Sequence, residues 1–311
     1  MALNAAGSVL CQLPYFEEDS QTVDLQLLDT IDDEKPPVVE LVYKALVMGI
    51  REYFRKNGLK KALIGLSGGI DSAIVAVLAA DALGGENVRG ILLPSQYSSD
   101  HSVNDAVALA KNLGMPYDIV PIKDMFEQMK KTLSPIFQGM PEDVTEENMQ
   151  ARIRGGLLMA ISNKTGAILL NTTNKSEAAV GYGTLYGDSC GALSVIGDIY
   201  KTEVYELAEY INRNEERIPR NTIEKAPSAE LRPDQKDSDS LPDYNKLDEI
   251  LTMLIEDEMC YDEICEEVDD PELVARVLKL VRNNEHKRLQ TAPVLKISPV
   301  TFRLDRKMPI A

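Results

Sequence analysis

The stretch that most constrains this chain is Ala62-Leu63-Ile64-Gly65-Leu66-Ser67-Gly68-Gly69-Ile70-Asp71-Ser72, followed at once by Ala73-Ile74-Val75-Ala76-Val77-Leu78. The short apolar run predicts a buried strand, and two glycines break it. Asp71 and Ser72 then stand where a helix begins, with Ile74, Val75, Leu78 and Ala82 as its apolar side. A strand, a tight loop and a helix N-terminus in succession make an anion cradle. Gly68 and Gly69 let backbone N–H groups come close, and the helix dipole favours negative charge there. Ser67 and Ser72 add hydroxyl donors. Asp71 fits such a cradle if it holds a divalent metal that bridges phosphate oxygens. The common phosphate loop is excluded, because no G-x-x-x-x-G-K-[ST] occurs and no lysine follows the glycines. An ordinary glycine turn opening a helix is the plain alternative, and the placement between strand and helix counts against it.

Ser-Gly-Gly-x-Asp-Ser resembles the signature of the N-type ATP pyrophosphatases, which split ATP between its α and β phosphates. Composition narrows the choice within that superfamily. The 311 residues are 44% hydrophobic, enough for one large core or two modest ones. No run approaches roughly 18 consecutive apolar residues, and the N-terminus lacks a charged start followed by an apolar segment. A soluble, unsecreted protein with no membrane partner is the expectation. Cys11, Cys190, Cys260 and Cys265 form no C-x-x-C pair, which favours reduced thiols in the cytoplasm. With His101 and His286 as the only histidines, a zinc site or a cysteine–histidine nucleophile has little to work with. The net charge of −17 would repel a nucleic acid, so small substrates are expected and the tRNA-modifying branch is disfavoured.

Along the chain, residues 1–37 read as an arm: a hairpin, a turn, an acidic tail, and a charged, proline-ended linker from Thr30 to Pro37. This arm resembles the last strands of a nitrilase-like glutaminase domain, or is simply an N-terminal extension. Val39, Val42, Tyr43, Leu46, Val47, Ile50 and Phe54 form a helical stripe. Strands follow at 62–66, 87–93 and 117–122, with helices between them, Val103, Ala106, Val107 and Ala110 marking the second. Alternation of this kind predicts an α/β fold with a doubly wound parallel sheet, whose ligands bind beyond the carboxyl ends of the strands. Pro94 to His101 faces that rim as a lid or a plain loop, and Pro135 to Glu146 reads as irregular. A helix from Glu147 to about Asn163 carries Arg152 and Arg154. A strand at 167–170 ends in Asn171-Thr172-Thr173-Asn174-Lys175-Ser176-Glu177, either site residues or a helix cap. Lys201 opens another helix, Ser228 to Pro242 reads as a loop disordered without ligand, and the remainder is helical.

Taken together, these pieces resemble the NAD synthetases over most of residues 38–290. The resemblance rests on 65–72, Asn148-Met149-Gln150-Ala151-Arg152-Ile153-Arg154, 171–177, Tyr186-Gly187-Asp188, Pro227-Ser228-Ala229-Glu230-Leu231 and Glu285-His286-Lys287-Arg288. The proline-rich tail at 291–311 resembles the glutamine-dependent branch. The resemblance implies an adenine nucleotide alpha hydrolase-like fold with C-terminal helices. It also implies amidation of deamido-NAD through an adenylylated intermediate, with ATP and Mg²⁺ required and ammonia as nitrogen donor. By the same resemblance, Gly65, Leu66, Ser67, Gly68, Gly69, Ile70, Asp71 and Ser72 hold ATP, together with Thr172, Lys201 and Ser228. Asp71 and Glu177 become the magnesium ligands, and Asp71 and Lys201 the catalytic pair. Asn148, Arg152, Glu177, Tyr182, Asp188, His286 and Lys287 fall to the deamido-NAD side, with Arg152 available from a partner subunit of a homodimer or larger homo-oligomer. Leu185 departs from the lysine that ammonia-dependent members often carry. A glutaminase domain does not fit within residues 1–35, so glutamine alone is expected to leave this chain nearly idle. Two other readings compete: another amidating pyrophosphatase such as a GMP synthetase, and a non-catalytic nucleotide sensor, which would have no need of both Asp71 and Glu177.

Overall fold

The computed structural model describes residues 1–24, 30–31, 35–233 and 235–306. The parts of the expected arm, linker, polar loop and tail at 25–29, 32–34, 234 and 307–311 lie outside the described residues. A short antiparallel hairpin, β1 (Ala2–Leu3) and β2 (Val9–Cys11), comes first, and α1 (Val38–Lys56) follows. The sheet and its helices then alternate: β3 (Ala62–Gly65), α2 (Ile70–Leu83), β4 (Val88–Leu92), α3 (Asp100–Asn112), β5 (Tyr117–Ile119), α4 (Lys123–Phe137), α5 (Val144–Thr165), β6 (Ile168–Asn171), α6 (Lys175–Val180), β7 (Leu193–Ser194) and α7 (Lys201–Ile211). The C-terminal part is helical: α8 (Arg220–Glu224), α9 (Tyr244–Ile255), α10 (Tyr261–Glu267), α11 (Pro271–Asn283) and α12 (Glu285–Arg288).

The five strands β5-β4-β3-β6-β7 form one parallel sheet, with Ala62–Gly65 in register with Val88–Ile91. Strand periodicity divides its side chains between two cores. Ala62, Ile64, Leu92 and Leu170 join α1, α2 and α7 on one face, while Leu63, Ile91 and Leu169 meet Phe126, Met149 and Ile153 of α4 and α5 on the other. The sheet is therefore doubly wound, as expected. A further core, built by α6, α9, α10 and α11 around Leu247, Ile250, Val277 and Val281, packs beside it.

Three local expectations need correction. First, α2 has no single apolar side: Ser72 through Ala80 are all buried, because α1, α7 and the sheet enclose the helix. Second, Pro135 does not open an irregular stretch but lies within the last turns of α4, a helix not foreseen from the sequence. A proline removes one hydrogen bond there without stopping a helix that is already ending. The left-handed Gln138 (φ 51°) and Gly139 (φ 80°) terminate it, and a capping box of Asp143 and Glu146 then starts α5 three residues earlier than expected. Third, the described residues of 228–242 are packed rather than disordered. Asp237 and Leu241 are buried, and polar side chains tie the loop down.

Candidate functional site

From β3 the chain passes to β4 on one side, while β6 lies on the other, so a crevice opens at the carboxyl ends of β3 and β6. This cleft encloses about 300 Å³. Its floor is the Ser67–Ser72 turn. The Gly69 N–H donates to Ser67 Oγ at 3.2 Å, and Ser72 Oγ donates to the Gly69 carbonyl at 3.0 Å. Gly68 is fixed by geometry: its φ is +79°, and a Cβ there would fall 2.3 Å from the Ser102 carbonyl. Among the described residues no side chain caps the N-terminus of α2, which leaves its first N–H groups to a ligand.

Asp71, in the first turn of α2, meets α6 and α7. Its Oδ2 accepts from Lys201 Nζ at 2.5 Å and its Oδ1 from Asn174 Nδ2 at 2.9 Å. Lys201 Nζ also lies 3.9 Å from Glu177 Oε1. Burial alone would discharge Lys201, but the Asp71 and Glu177 carboxylates outweigh it and hold the ammonium well above its ordinary range. Glu177 is pushed the other way: burial first, and the neighbouring Asp71 charge second, raise its carboxyl above the usual range. Asn174 does two jobs, because its Oδ1 also accepts from the Glu177 N–H at 2.9 Å and so caps α6. Behind this group, Ser176 Oγ donates to Asp248 at 2.5 Å and accepts from the Lys201 N–H at 2.9 Å, which locks the starts of α6 and α7 together.

Two crowded carboxylates on one lysine are under-compensated, and a divalent cation would complete their charge. Among the described residues no group of three or more His, Cys, Asp or Glu could hold a metal by itself. Magnesium suits the pair, since it typically takes one or two carboxylates and draws its other ligands from phosphate oxygens and water.

The 226–237 loop forms the opposite wall. Ser228 Oγ donates to the Gln235 carbonyl at 2.6 Å and accepts from the Glu230 N–H at 3.2 Å. Glu230 reaches across to α3, accepting from Ser102 Oγ at 2.6 Å and Ser99 Oγ at 3.0 Å, with Lys225 Nζ at 3.2 Å. Burial would raise the Glu230 carboxyl, but the Ser102 hydroxyl and the Lys225 charge prevail and hold it below the ordinary range. Gln150 supports the loop from α5, its Nε2 donating to the Leu231 carbonyl at 2.8 Å.

The expected nucleotide residues Gly65, Leu66, Ser67, Gly69, Ile70, Asp71, Ser72, Thr172, Lys201 and Ser228 all line this one cleft, with Gly68 behind them against α3. Of the residues expected on the second-substrate side, Glu177, Tyr182 and Asp188 also line it. Tyr182 donates to Asp237 Oδ1 at 3.0 Å, and the Thr184 N–H donates to Asp188 Oδ1 at 2.6 Å, while burial raises the Asp188 carboxyl. The others border the 181–188 loop instead. Asn148 Oδ1 accepts from Thr184 Oγ1 at 2.7 Å, and Lys287 Nζ donates to the Gly181 and Gly183 carbonyls at 2.7 and 2.9 Å. Arg152 and His286 are exposed, with Arg152 Nε 3.3 Å from the Leu185 carbonyl and His286 Nδ1 3.1 Å from the Asn283 carbonyl. Asn174, Arg154, Lys225, Glu230 and Asp237 shape the cleft without having been assigned roles from the sequence. Asn174 was the most accessible of these, since N-x-x-E at 174–177 is a capping pattern.

The family described as NAD synthase matches residues 42–291. A glutamine-dependent NAD(+) synthetase of Synechocystis sp. is 46% identical, the match covering 100% of this chain and 57% of that protein. One of Thermotoga maritima is 44% identical and covers 100% of this chain and 61% of its own length. The solved glutamine-dependent NAD+ synthetase of Acinetobacter baumannii, in complex with adenosine diphosphate, is 38% identical with a TM-score of 0.60, over 94% of this chain and 51% of that one. The chain thus spans between half and two thirds of the length of these relatives. The cleft at the carboxyl ends of β3 and β6 and the match over most of the sequence agree: the chain belongs to the NAD synthase family.

Proposed function

We propose that this chain is a carbon–nitrogen ligase that converts deamido-NAD to NAD, using ATP and ammonia and releasing AMP and pyrophosphate. One observation carries the reading: the Ser67–Ser72 turn and the uncapped start of α2 face a cleft into which Asp71, Glu177 and Lys201 all project. A carboxylate is a poor acylating agent. The nicotinate carboxylate of deamido-NAD attacks the α-phosphorus of ATP, and pyrophosphate leaves. Ammonia then attacks the activated carbonyl carbon and AMP departs, taking the carboxyl oxygen with it.

The turn's N–H groups and the Lys201 ammonium would receive the negative charge that collects on departing pyrophosphate. Lys201 suits this, because Asp71 keeps it protonated and oriented. Magnesium held by Asp71 and Glu177 would add charge neutralisation on the phosphate chain. Thr172 and Ser228 would contact the nucleotide, with Tyr182 and Asp188 on the deamido-NAD side. Arg152, exposed on α5, suits a contact made across a homodimer. The relatives named glutamine-dependent extend beyond the matched region, which fits ammonia released from glutamine by a separate glutaminase domain as well as free ammonia. Four free cysteines fit a reducing cytoplasm, and among the described residues no helix is long and apolar enough to cross a membrane.

The test is a product assay. With ATP, Mg²⁺, deamido-NAD and ammonium, the chain should form NAD and AMP in equal amounts. Formation of ADP would contradict the mechanism. Turnover of xanthosine monophosphate in place of deamido-NAD would favour a GMP synthetase-like activity.

A further inference from the structure

Helix α5 presents one face to the cleft, formed by Ala151, Arg154, Gly155 and Leu158, the spacing of a single helical stripe. Two close contacts fix its phase. A Cβ on Gly155 would lie 2.8 Å from the Gly187 carbonyl, and Leu158 packs where a Cβ on Gly65 would lie 3.1 Å away. The helix therefore cannot rotate to bring Arg152 inward, and Arg154 is the arginine of the cleft. Its Nε donates to the Leu93 carbonyl at 3.0 Å, just past the end of β4. Among the described residues no carboxylate lies within ion-pair distance of it, and the bond to Leu93 is its one hydrogen bond to protein. Burial lowers its pKa to about 10, only partly offset by the charges of Asp188 and Glu230. A half-buried guanidinium on the cleft wall with most donors unused is what an anion site needs.

Its neighbours locate it along the cleft. Asp188 belongs to the second-substrate side, and Glu230 is bonded to Ser102, whose carbonyl abuts Gly68 of the phosphate turn. On the same face of α5, Gly155 abuts Gly187, next to Asp188, and Leu158 abuts Gly65, two residues before the Ser67–Ser72 turn, so Arg154 stands on the face that joins the two ends of the cleft, where the groups from two substrates would meet. We propose that Arg154 is a further catalytic residue, whose guanidinium binds the non-bridging oxygens of the α-phosphate of ATP. This inference rests on the function proposed above. In the step it serves, the carboxylate oxygen–phosphorus bond forms and the bond from the α-phosphorus to the bridging oxygen breaks. The electron pair leaves with pyrophosphate, and Arg154 keeps its proton throughout.

The experiment is deamido-NAD-dependent exchange of labelled pyrophosphate into ATP by the 311-residue chain, run with ATP and with each diastereomer of its α-thio analogue. Arg154→Met should lower the exchange rate roughly 10²–10³-fold with a small change in the KM for ATP. It should also shift the ratio between the two thio diastereomers about tenfold. Arg154→Lys, which keeps a charge and a donor towards Leu93, should recover part of the rate. Arg152→Met should leave the diastereomer ratio unchanged. A uniform loss in Arg154→Met with the wild-type ratio retained would overturn the assignment and leave Arg154 a support for Leu93. Absence of any exchange in the unaltered chain would overturn the functional reading, and the role of Arg154 with it.

Discussion

Two buried lysines stand close in the fold and differ in one respect. Lys175 donates to Glu256 at 2.7 Å, Ser298 Oγ at 2.7 Å and the Val300 carbonyl at 2.9 Å, with Asp198 at 3.2 Å, so all three ammonium protons are used. Asp198 in turn accepts from the Ile297 and Ser298 N–H groups at 2.8 Å each, and the cluster clamps the C-terminal segment onto the sheet edge, where Val294 bridges Ser194. Lys201 has the same company, a lysine with two carboxylates, but makes one close bond, to Asp71, and faces the cleft. Saturation marks the first as a staple. Unspent donors beside crowded carboxylates mark the second as a place for a ligand.

Substitutions can break that contrast. The largest effect should come from the cleft: Asp71→Asn or Lys201→Met should lower NAD formation about a thousandfold or more, with the far-ultraviolet circular dichroism of the folded chain retained. Next, Lys175→Met leaves the buried Asp198 and the half-buried Glu256 short of their partner. It should cost about 3–5 kcal/mol of unfolding free energy in urea titration, while turnover per folded molecule stays within about threefold. Equal loss of turnover in Lys175→Met and Lys201→Met would erase the distinction.

Glu177 gives a test through pH. Its carboxyl is raised, so the folded chain binds that proton more tightly than the unfolded chain, and stability falls as pH rises from the ordinary carboxylate range through the raised value. Glu177→Gln should remove that fall. Thermal unfolding without magnesium should show the variant more stable than wild type at pH 8 by about 2–4 kcal/mol, with little difference at pH 4, even though turnover is lost. Smaller still, Glu230→Gln weakens the tie between the 226–237 loop and α3, and should raise the KM for ATP a few-fold with kcat nearly unchanged.

The sheet and the Ser67–Ser72 turn were legible because their signals are local. Ala62–Gly65 is continuously apolar, as a strand buried on both faces must be, and Gly68-Gly69 before a helix admits few structures. The glutamate at 177 and the lysine at 201 were legible as residues, though not as a pair meeting on Asp71. What escaped has physical causes. Helix α5 buries Met149, Gln150, Ala151, Ile153 and Gly155, which leaves no apolar stripe, so the sequence could not tell which of Arg152 and Arg154 faces inward. Helix α4 was hidden by Pro135, read as a breaker when it lies near a natural end. The 228–242 loop looked too polar to pack because its partners are remote: Glu230 finds Ser99 and Ser102 from more than a hundred residues away, a relation no local pattern carries.

The central claim, that the turn after β3 and the Asp71–Lys201 pair hold the phosphates of ATP for cleavage between α and β, is tested most directly by the fate of the label. With ATP labelled on the α-phosphate, deamido-NAD, magnesium and ammonium, the account predicts that all the label appears in AMP, one per NAD formed, and that Asp71→Asn abolishes both products together. Label recovered in ADP, or AMP formation that survives Asp71→Asn, would contradict it.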